Sequence, residues 1–411
     1  MRLVYIANVR LPTEKAHGLQ IMKMCEAFGN IQYPISNIQT NPKSETDTKS
    51  EILNSRIEVE LVVPRRRNPI KVDPFEYYGV ERNFKITRLP TLDIVSWGKI
   101  GFWLELICFL VFARIYLIGK KRIIYTREAA VGFFFPKSFL ELHTLPSKHG
   151  SFRKKIWQKA GALFVLTSLM KTELLKWGIA KENILVLPDA VDVEEFDIAV
   201  SRDEARRKLG FPLDKKIVLY TGSFFLYPWK GVDVLLEAAQ KYPAQLRQDE
   251  VPSGRQVSSI KYQKEGVLFV LVGGSEKEIT EAKERYTSPN ILFLGYRPHA
   301  DIPYYLKAAD ALVLPNKSGY EMSEKHTSPL KLFEYMASGR PIVSSDLPSL
   351  REILSEEEAV FFKPNDSLDL TRVIGEVFGD TAHAERISKN ARAKAGEYTW
   401  EKRATQILDF I

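Results

Sequence analysis

The sequence contains little cysteine: Cys25 and Cys108 are the two cysteines among 411 residues. Each falls in an apolar helical pattern, and the two lack the close spacing typical of metal sites and small disulfide frameworks. We therefore expect buried free thiols and a reducing compartment. The opening stretch, MRLVYIANVR, has a charged start and then a strand pattern instead of a long apolar run, so no secretory signal is expected.

Two common binding motifs are also absent from the sequence. No zinc-finger or RNP-like pattern occurs, which argues against nucleic acid as a partner. The loop after the first expected strand, NVRLPTEKAHG, lacks the close glycine-rich fingerprint of an NAD-linked oxidoreductase. Neither function is therefore expected.

Charge is unevenly distributed along the chain, whose formal net charge is +8. Residues 1–190 contain 29 Lys and Arg against 17 Asp and Glu, which gives +12 and leaves −4 for residues 191–411. A basic first half indicates an anionic partner, either anionic lipid or a phosphate-bearing acceptor. The basic helical pattern KHGSFRKKIWQKA, Lys148 to Ala160, is either a solvated face or a surface for such a partner.

Length and periodicity predict an α/β protein of two domains, because 411 residues exceed one ordinary core. Strand patterns alternate with helical ones, which indicates doubly wound parallel sheets whose ligands bind at the carboxyl ends of the strands, here in a cleft between two units. The periodicity breaks near LPDAVDVEEFD, which divides residues 1–195 from residues 196–397. The expected strands are RLVYIAN, VELVVP, RIIYT, KSFLELH, ALFVLT, KIVLYTG, GVLFVLVGG, NILFLG, ALVLP and PIVSS.

Three further stretches stand out by composition. Ile31 to Arg56 and Pro243 to Gln263 are polar and are expected to be surface insertions. Trp97 to Ile118 is nearly apolar all round and nominally long enough to span a bilayer, but Glu105 and Arg114 would be costly in lipid. This segment is either a helix buried against the first sheet or a helix in a membrane interface.

Two loops in the second half contain candidate binding residues. In YTGSFFLYPWKGVDVLLEAAQ, Gly222 permits a tight turn after a strand, and Lys230 precedes a helix where it can reach a phosphate. In SPLKLFEYMASG, serine followed by proline suggests a helix start capped by the serine hydroxyl, and Gly339 suggests its end. The amides at this helix start and Lys331 favour an anion, whereas Glu334 points either at solvent or at the hydroxyls of a sugar.

These segments resemble the retaining glycosyltransferases of the two-domain GT-B class, glycosyltransferase family 4, over almost the whole chain. The segments that carry the resemblance are LPTEKAHGLQIMKMCEAF, ELHTLP, LPDAVDVEEF, YPWKGVDVLLEA, YLKAADALVLP and SPLKLFEYMASGRPIVSSDLPSLREIL. The resemblance implies two Rossmann-like domains facing a central cleft, an acceptor-side domain and a donor-binding domain. It also implies that the terminal helix, residues 398–411, returns to the first domain.

The resemblance implies roles for individual residues. Glu334 matches the glutamate that binds the nucleotide ribose, and Lys230 matches the lysine that neutralises the departing phosphate. His143 matches a histidine near the transferred sugar; together these three are the expected catalytic residues. The expected donor-binding residues are Gly18, Gly222, Ser223, Lys230, His326, Ser328, Pro329, Leu330, Lys331 and Glu334. His326 stands where members often have a glutamate, with Glu321 and Glu324 nearby, and Ser223 stands where an arginine is common.

The resulting expectation is a retaining transferase that moves a sugar from a UDP- or GDP-type donor to a glycan or lipid-linked acceptor. The resemblance implies same-face attack, and we expect no metal or other cofactor, because no Asp-x-Asp occurs in the sequence. The expected setting is cytoplasmic, at cell-surface polysaccharide or glycolipid synthesis, with peripheral contact between the first domain and the inner face of the membrane. The alternative is a GT-B protein that binds nucleotide sugar as a partner or regulatory subunit.

Overall fold

The chain forms two compact units, each built on one parallel sheet. A computed structural model describes residues 1–33, 55–119, 121–146, 151–245 and 266–411. The first unit comprises Met1–Leu187 with Trp400–Ile411, and the second comprises Pro188–Thr399. The prediction of a two-domain α/β protein is therefore confirmed.

The first unit contains a seven-stranded parallel sheet in the order β5-β4-β1-β6-β7-β8-β9. Its strands are β1 Arg2–Ile6, β4 Glu58–Pro64, β5 Lys85–Leu89, β6 Ile123–Thr126, β7 Phe139–Leu142, β8 Ala162–Val165 and β9 Ile184–Val186, while β2 Gln32–Tyr33 and β3 Ser55–Arg56 form an antiparallel pair. Its helices are α1 Ala16–Asn30, α2 Pro74–Tyr78, α3 Lys99–Tyr116, α4 Ala129–Phe134, α5 Ser151–Gln158, α6 Ser168–Lys176 and a terminal helix, Trp400–Phe410.

The second unit contains a six-stranded parallel sheet in the order β12-β11-β10-β13-β14-β15. The strands are β10 Lys216–Thr221, β11 Val267–Val272, β12 Ile291–Phe293, β13 Ala311–Leu314, β14 Ile342–Ser345 and β15 Val360–Phe362. The helices are α7 Val193–Phe196, α8 Arg202–Leu209, α9 Val232–Gln245, α10 Glu276–Arg285, α11 Ile302–Ala308, α12 Leu330–Ser338, α13 Pro348–Arg351, α14 Ser367–Gly379 and α15 Thr381–Ala395, so that the terminal helix of the first unit is α16.

Alternating strand residues explain why helices cover both faces of the second sheet. In β10, Leu219 belongs to one buried apolar cluster and its neighbours Val218 and Tyr220 belong to another. Because successive side chains point to opposite faces, a strand that is apolar at every position requires cover on both sides. Because helices cover both faces of the sheet, the polar loops lie at the ends of the strands.

The change of unit falls at the start of the stretch LPDAVDVEEFD, ahead of the division after residue 195 that the sequence suggested. The first unit ends at Leu187, because the next residues bond within the second unit: the Asp189 amide donates to Ser328 Oγ at 3.0 Å, and the Val191 amide donates to the carbonyl of Tyr398 at 2.8 Å. The polar stretches Ile31–Arg56 and Pro243–Gln263 fall largely outside the described residues.

Helix α3 occupies most of the apolar stretch from Trp97 to Ile118. One side of it packs on the first sheet, through Leu106, Phe109, Leu110 and Ala113. Glu105 lies on this buried side and forms an ion pair with Arg66. Within the described ranges, no helix combines the length and the hydrophobicity needed to cross a membrane.

Candidate functional site

The carboxyl edge of the second sheet brings most of the predicted donor-binding residues together. Gly222 follows β10 with φ of +126°, a conformation that favours glycine. The backbones of neighbouring loops approach closely here, since a Cβ on Gly273 would lie 2.4 Å from the Gly222 carbonyl oxygen. The turn therefore keeps the strand end free of side-chain bulk.

Glu278 holds the loop after this turn, a role that sequence analysis did not find. One oxygen of its carboxylate accepts hydrogen bonds from the amides of Phe224, Phe225 and Leu226 at 3.0, 2.8 and 2.9 Å. The other oxygen accepts from the amide of Ser275 at 2.8 Å, as part of a capping box at the start of α10. The Ser-x-x-Glu spacing predicts the cap, but the bonds to a loop 52 residues away depend on the fold.

Lys230 projects from the same loop toward Ser223. Its Nζ donates to Ser223 Oγ at 2.8 Å and lies 5.0 Å from the centre of the Tyr227 ring. Burial lowers the pKa of Lys230 to about 8. Gly231 positions this lysine, because φ is +68° and a Cβ would lie 1.8 Å from the carbonyl oxygen of Pro315. Ser223 thus contacts the predicted phosphate lysine.

Lys331 is a second lysine with a buried head group. Its Nζ has no hydrogen-bond partner among the described residues and lies 3.8 Å from the centre of the Tyr220 ring. Burial lowers the pKa of Lys331 well below its ordinary value, and the charge of Lys230 lowers it further. Two lysines that repel each other while partly desolvated form a site suited to an anion with more than one charge.

The start of α12 differs from the predicted serine cap. The helix begins at Leu330, after Pro329, and the side chain of Ser328 caps none of its amides. Instead Ser328 Oγ accepts from the amide of Asp189, which the sequence could not reveal because the two residues lie 139 positions apart. Gly339 ends the helix as predicted, with φ of +63° and its amide bonded to the carbonyl of Met336 at 3.2 Å.

Glu334 lies in α12 one turn beyond Lys331 and is largely buried. Its carboxylate accepts a hydrogen bond from His299 Nε2 at 3.0 Å, and His299 Nδ1 lies 3.0 Å from Glu195. Burial alone would lower the pKa of His299, but the two carboxylates outweigh it and raise the pKa to about 10. The imidazole is therefore charged at neutral pH and donates to both carboxylates. Of the two interpretations of Glu334, the solvent-facing one does not hold.

Two hydrogen bonds fix α12 against the end of β10. The hydroxyl of Tyr335, next to Glu334, accepts from the amide of Thr221 at 2.9 Å and contacts Thr221 Oγ1 at 3.2 Å. Thr221 directly precedes Gly222. The helix with Lys331 and Glu334 is therefore held in register with the loop that contains Lys230, and we call Lys230, Lys331 and Glu334 the lysine–glutamate cluster.

The loop between β13 and α12 contains further buried polar groups at this edge. His326 is 2% exposed at the end of a short π-helical turn. Nearby Glu324 accepts from the amide of Gly319 at 2.8 Å, and Glu321 pairs with Lys325. Asn316 is fully buried, and within the described residues neither its Nδ2 nor its Oδ1 has a hydrogen-bond partner. Such atoms normally bond to water or a ligand, so Asn316 is a candidate that sequence analysis missed.

Gly18 and His143 belong to the first unit. Gly18 lies in the first turn of α1, where a Cβ would come within 2.2 Å of Tyr78 Oη. That hydroxyl donates to the carbonyl of Thr13 at 2.8 Å and accepts from its amide at 2.7 Å. Packing against Tyr78 is therefore sufficient to explain the glycine at this position.

His143 directly follows β7 and forms a hydrogen bond with Glu141, Nε2 to Oε1, at 2.5 Å. Burial opposes ionisation of Glu141, but Arg403 and His143 hold the pKa of its carboxyl well below the ordinary range. Burial lowers the pKa of His143 to about 4, with the charge of Arg127 adding to the effect. At neutral pH the ring is thus uncharged and donates from Nε2 to the carboxylate, which leaves Nδ1 as an acceptor.

In the part of the chain that the structure describes, no three His, Cys, Asp or Glu side chains are grouped so that they could hold a metal ion. The lysine–glutamate cluster instead combines two lysines with a carboxylate that pairs with His299.

Comparison with known proteins agrees with this arrangement. Residues 201–394 match the family model described as Glycosyl transferases group 1. The phosphatidyl-myo-inositol mannosyltransferase of Mycobacterium tuberculosis (strain ATCC 25618 / H37Rv) is 26% identical over 231 residues, 54% of this chain and 52% of that protein. The chain spans about half the length of the curated relatives it matches.

Two solved structures are similar over the whole chain. Sucrose-phosphate synthase from Thermosynechococcus elongatus has a TM-score of 0.72 at 18% identity and covers 100% of this chain and 98% of its own. Anabaena HepE in complex with UDP-glucose has a TM-score of 0.67 at 15% identity and covers 100% of both chains. These similarities show a GT-B fold, and the family match falls within the second unit. The second unit is therefore similar to the glycosyl transferases group 1 family over residues 201–394.

Proposed function

We propose that this protein is a retaining glycosyltransferase of family 4 type that transfers a sugar from a UDP- or GDP-type donor to a glycan or lipid-linked acceptor. The observation that carries the proposal is the lysine–glutamate cluster: two mutually repelling lysines and a buried carboxylate at the carboxyl edge of a doubly wound sheet. A diphosphate satisfies the lysines, and the carboxylate accepts hydrogen bonds from ribose hydroxyls. HepE with bound UDP-glucose supports this donor class.

The chemistry that follows is electrostatic. As the bond between the anomeric carbon and the phosphate oxygen breaks, positive charge develops on the sugar and negative charge on the diphosphate. Lys230 and Lys331 stabilise the negative charge, together with the amides at the start of α12. The acceptor oxygen attacks from the same face, and its proton passes to the departing phosphate, so the anomeric configuration is retained. Neutral His143 contacts the transferred sugar in this scheme, and no step requires a metal.

The acceptor and the location form the second part of the proposal. The phosphatidyl-myo-inositol mannosyltransferase that matches this chain supports a lipid-linked acceptor. The basic balance of residues 1–190 supports an anionic acceptor or membrane beside the first unit. We therefore place the reaction in the cytoplasm, peripheral to the inner face of the cell membrane, in polysaccharide or glycolipid synthesis.

A screen of UDP- and GDP-sugars for binding and hydrolysis tests the donor site, with Lys230→Ala and Glu334→Ala as variants. Each removes a charge-assisted hydrogen bond worth about 1.5–3 kcal/mol, so donor affinity or turnover should fall roughly tenfold to a hundredfold. Lys277→Ala and Glu284→Ala, two exposed positions on α10, are the controls. Unchanged affinity and turnover in both site variants would contradict the proposal. Donor binding without any turnover across the screen would favour the alternative, a nucleotide-sugar-binding partner subunit.

A further inference from the structure

Helix α3 is apolar around its circumference, but only one side of it is buried. A helix of this type is normally surrounded by core or by lipid. Its outward side is solvent-exposed in the described part of the chain: Ile100 is 73% exposed, Trp103 56% and Ile107 48%. We call this surface the α3 apolar face; it consists of Trp97, Ile100, Trp103, Leu104, Ile107, Val111, Phe112, Ile115 and Ile118.

The α3 apolar face is continuous along the helix and extends beyond both of its ends. Trp97, which precedes the helix, is 70% exposed, and Ile118, which follows it, is 68% exposed. Phe133 of the adjacent helix α4 is also exposed. Scattered single apolar residues are normal on a protein surface, whereas a contiguous row of this kind indicates a binding surface.

The exposed charges on helix α3 are of one sign. Glu105 is the single acidic residue between Lys99 and Tyr116, and it is turned into the core, where Arg66 neutralises it. Lys99 stands at the first turn of the helix and Arg114 at the last, both exposed. The sequence then continues as Gly-Lys-Lys-Arg, residues 119–122. An apolar strip with cations at both ends therefore lies on the basic first unit.

We propose that the α3 apolar face binds the interface of a lipid bilayer that contains anionic headgroups, with the helix lying in the plane of the membrane. Trp97 and Trp103 suit this depth, because tryptophan favours the boundary between headgroups and acyl chains. The terminal cations pair with anionic headgroups while the apolar side chains enter the acyl boundary.

The same charges argue against a second copy of the chain as the occupant of this face. In a parallel pair of helices Lys99 would meet Lys99, and in an antiparallel pair it would meet Arg114. Like charges placed together at an interface are unfavourable, whereas a lipid surface supplies the opposite charge at both ends. Membrane binding of this kind would bring the first unit close to molecules anchored in the bilayer. The idea that such molecules are acceptors rests on the proposed function, whereas membrane binding itself is independent of it.

Co-sedimentation of the full chain with vesicles tests the proposal. The vesicles contain phosphatidylcholine alone or phosphatidylcholine with phosphatidylglycerol, and the variant combines Trp103→Asn with Ile107→Asn. Both side chains are exposed, so the fold should be retained, which circular dichroism checks. We expect binding to the anionic vesicles to fall by about tenfold or more. The matched control combines Leu213→Asn with Leu368→Asn, which are 45% and 49% exposed in the second unit, and it should bind like the wild type.

Quenching of tryptophan fluorescence by brominated lipids reports insertion directly. The wild type should be quenched, and the variant with Trp97→Phe and Trp103→Phe should bind vesicles but show much less quenching. The proposal is overturned if the Asn variant binds as well as the wild type, or if the wild type binds neither kind of vesicle. It is also overturned if the wild type is a dimer in solution that the Asn variant dissociates. Donor turnover measured without vesicles should not change in any of these variants, so loss of docking is distinguishable from failure of the donor site.

Discussion

At the scale of single residues, the protonation state of Lys230 affects the affinity of the lysine–glutamate cluster for a diphosphate. Because burial lowers its pKa to about 8, the free protein loses this cation as the pH rises past 8. Bound diphosphate favours the charged form, so binding above this pH takes up a proton. We predict that affinity for UDP falls by up to about tenfold per pH unit above pH 8. Calorimetry in buffers of different ionisation enthalpy measures the proton uptake; its absence at pH 9 would contradict the prediction.

The bridge from His299 to two carboxylates predicts a second pH effect, this time on stability. The pKa of His299 is raised to about 10, so the contribution of the bridge is complete below the ordinary histidine pKa of about 6.5 and is lost as the pH rises through 10. His299→Gln should lower the free energy of unfolding by roughly 1–3 kcal/mol at pH 6. The difference from the wild type should shrink toward pH 10.

His299→Gln should also raise the KM for donor more than it lowers kcat, because the histidine holds Glu334 without contacting the reacting atoms. His383→Gln, in the first turn of α15 and far along the chain from Glu334, is the control. A stability difference that is the same at pH 6 and pH 10 would contradict the assignment of charge to the bridge.

A site residue could be predicted from the sequence only where the pattern that identifies it lies within a few positions of it along the chain. The sequence identifies Lys230 because a strand end and a glycine turn precede it and a helix follows it. It identifies Glu334 because a Ser-Pro helix start and Gly339 enclose it. Their partners could not be found in this way: His299 lies 35 residues from Glu334, and Glu278 lies 52 residues from the loop it holds. Only the packed sheet brings such residues together.

At the scale of elements, Gly231 connects the short turn of Lys230 to α9. Gly231→Ala adds a methyl group that must displace the carbonyl of Pro315, whereas Gly210→Ala, at a similar φ of +70°, meets nothing within 4 Å. Backbone strain alone costs about 1 kcal/mol. We predict that Gly210→Ala lowers the free energy of unfolding by about that amount, and that Gly231→Ala lowers it by roughly 2–4 kcal/mol and weakens donor binding. Equal effects in the two variants, by urea unfolding, would show that the Pro315 contact is unimportant.

For helix α3, the apolar sequence pattern predicted the helix but not what covers its surface. The sequence indicated a helix without a polar side, and it left burial and membrane contact as alternatives. In the structure only one side of this helix is buried, because the first sheet covers one face and the helix has no polar face to turn toward solvent. The acidic residue that argued against lipid, Glu105, turned inward to Arg66.

At the scale of the whole molecule, the terminal helix α16 is part of the first unit. Buried Arg403 pairs with Glu141 at 3.1 Å. Arg403→Ala would leave that carboxylate without its main counter-charge, so we predict a loss of about 3–5 kcal/mol in the stability of the first unit. Glu401→Ala, at an exposed position on the same helix, should change it by less than about 0.5 kcal/mol. Hydrogen exchange of β7 and β8 in increasing urea measures both values, and an equally small loss in the two variants would contradict the prediction.

The architecture was predictable because buried strands have a strong pattern. All ten expected strands correspond to strands of the two parallel sheets. The strands of these two sheets that sequence analysis missed, β5, β9 and β15, are edge strands. An edge strand is covered less completely than a central one, and β9 and β15 are three residues long, so their apolar signal is weak.

The repulsion between Lys230 and Lys331 has a practical consequence at the bench. An empty site of this kind attracts whatever multivalent anion the buffer supplies, so phosphate or sulfate will compete with the sugar nucleotide and raise the melting temperature by themselves. Dissociation constants for the nucleotide-sugar donor should therefore be compared in chloride or acetate buffers, where no multivalent anion competes with the nucleotide for the two ammonium groups.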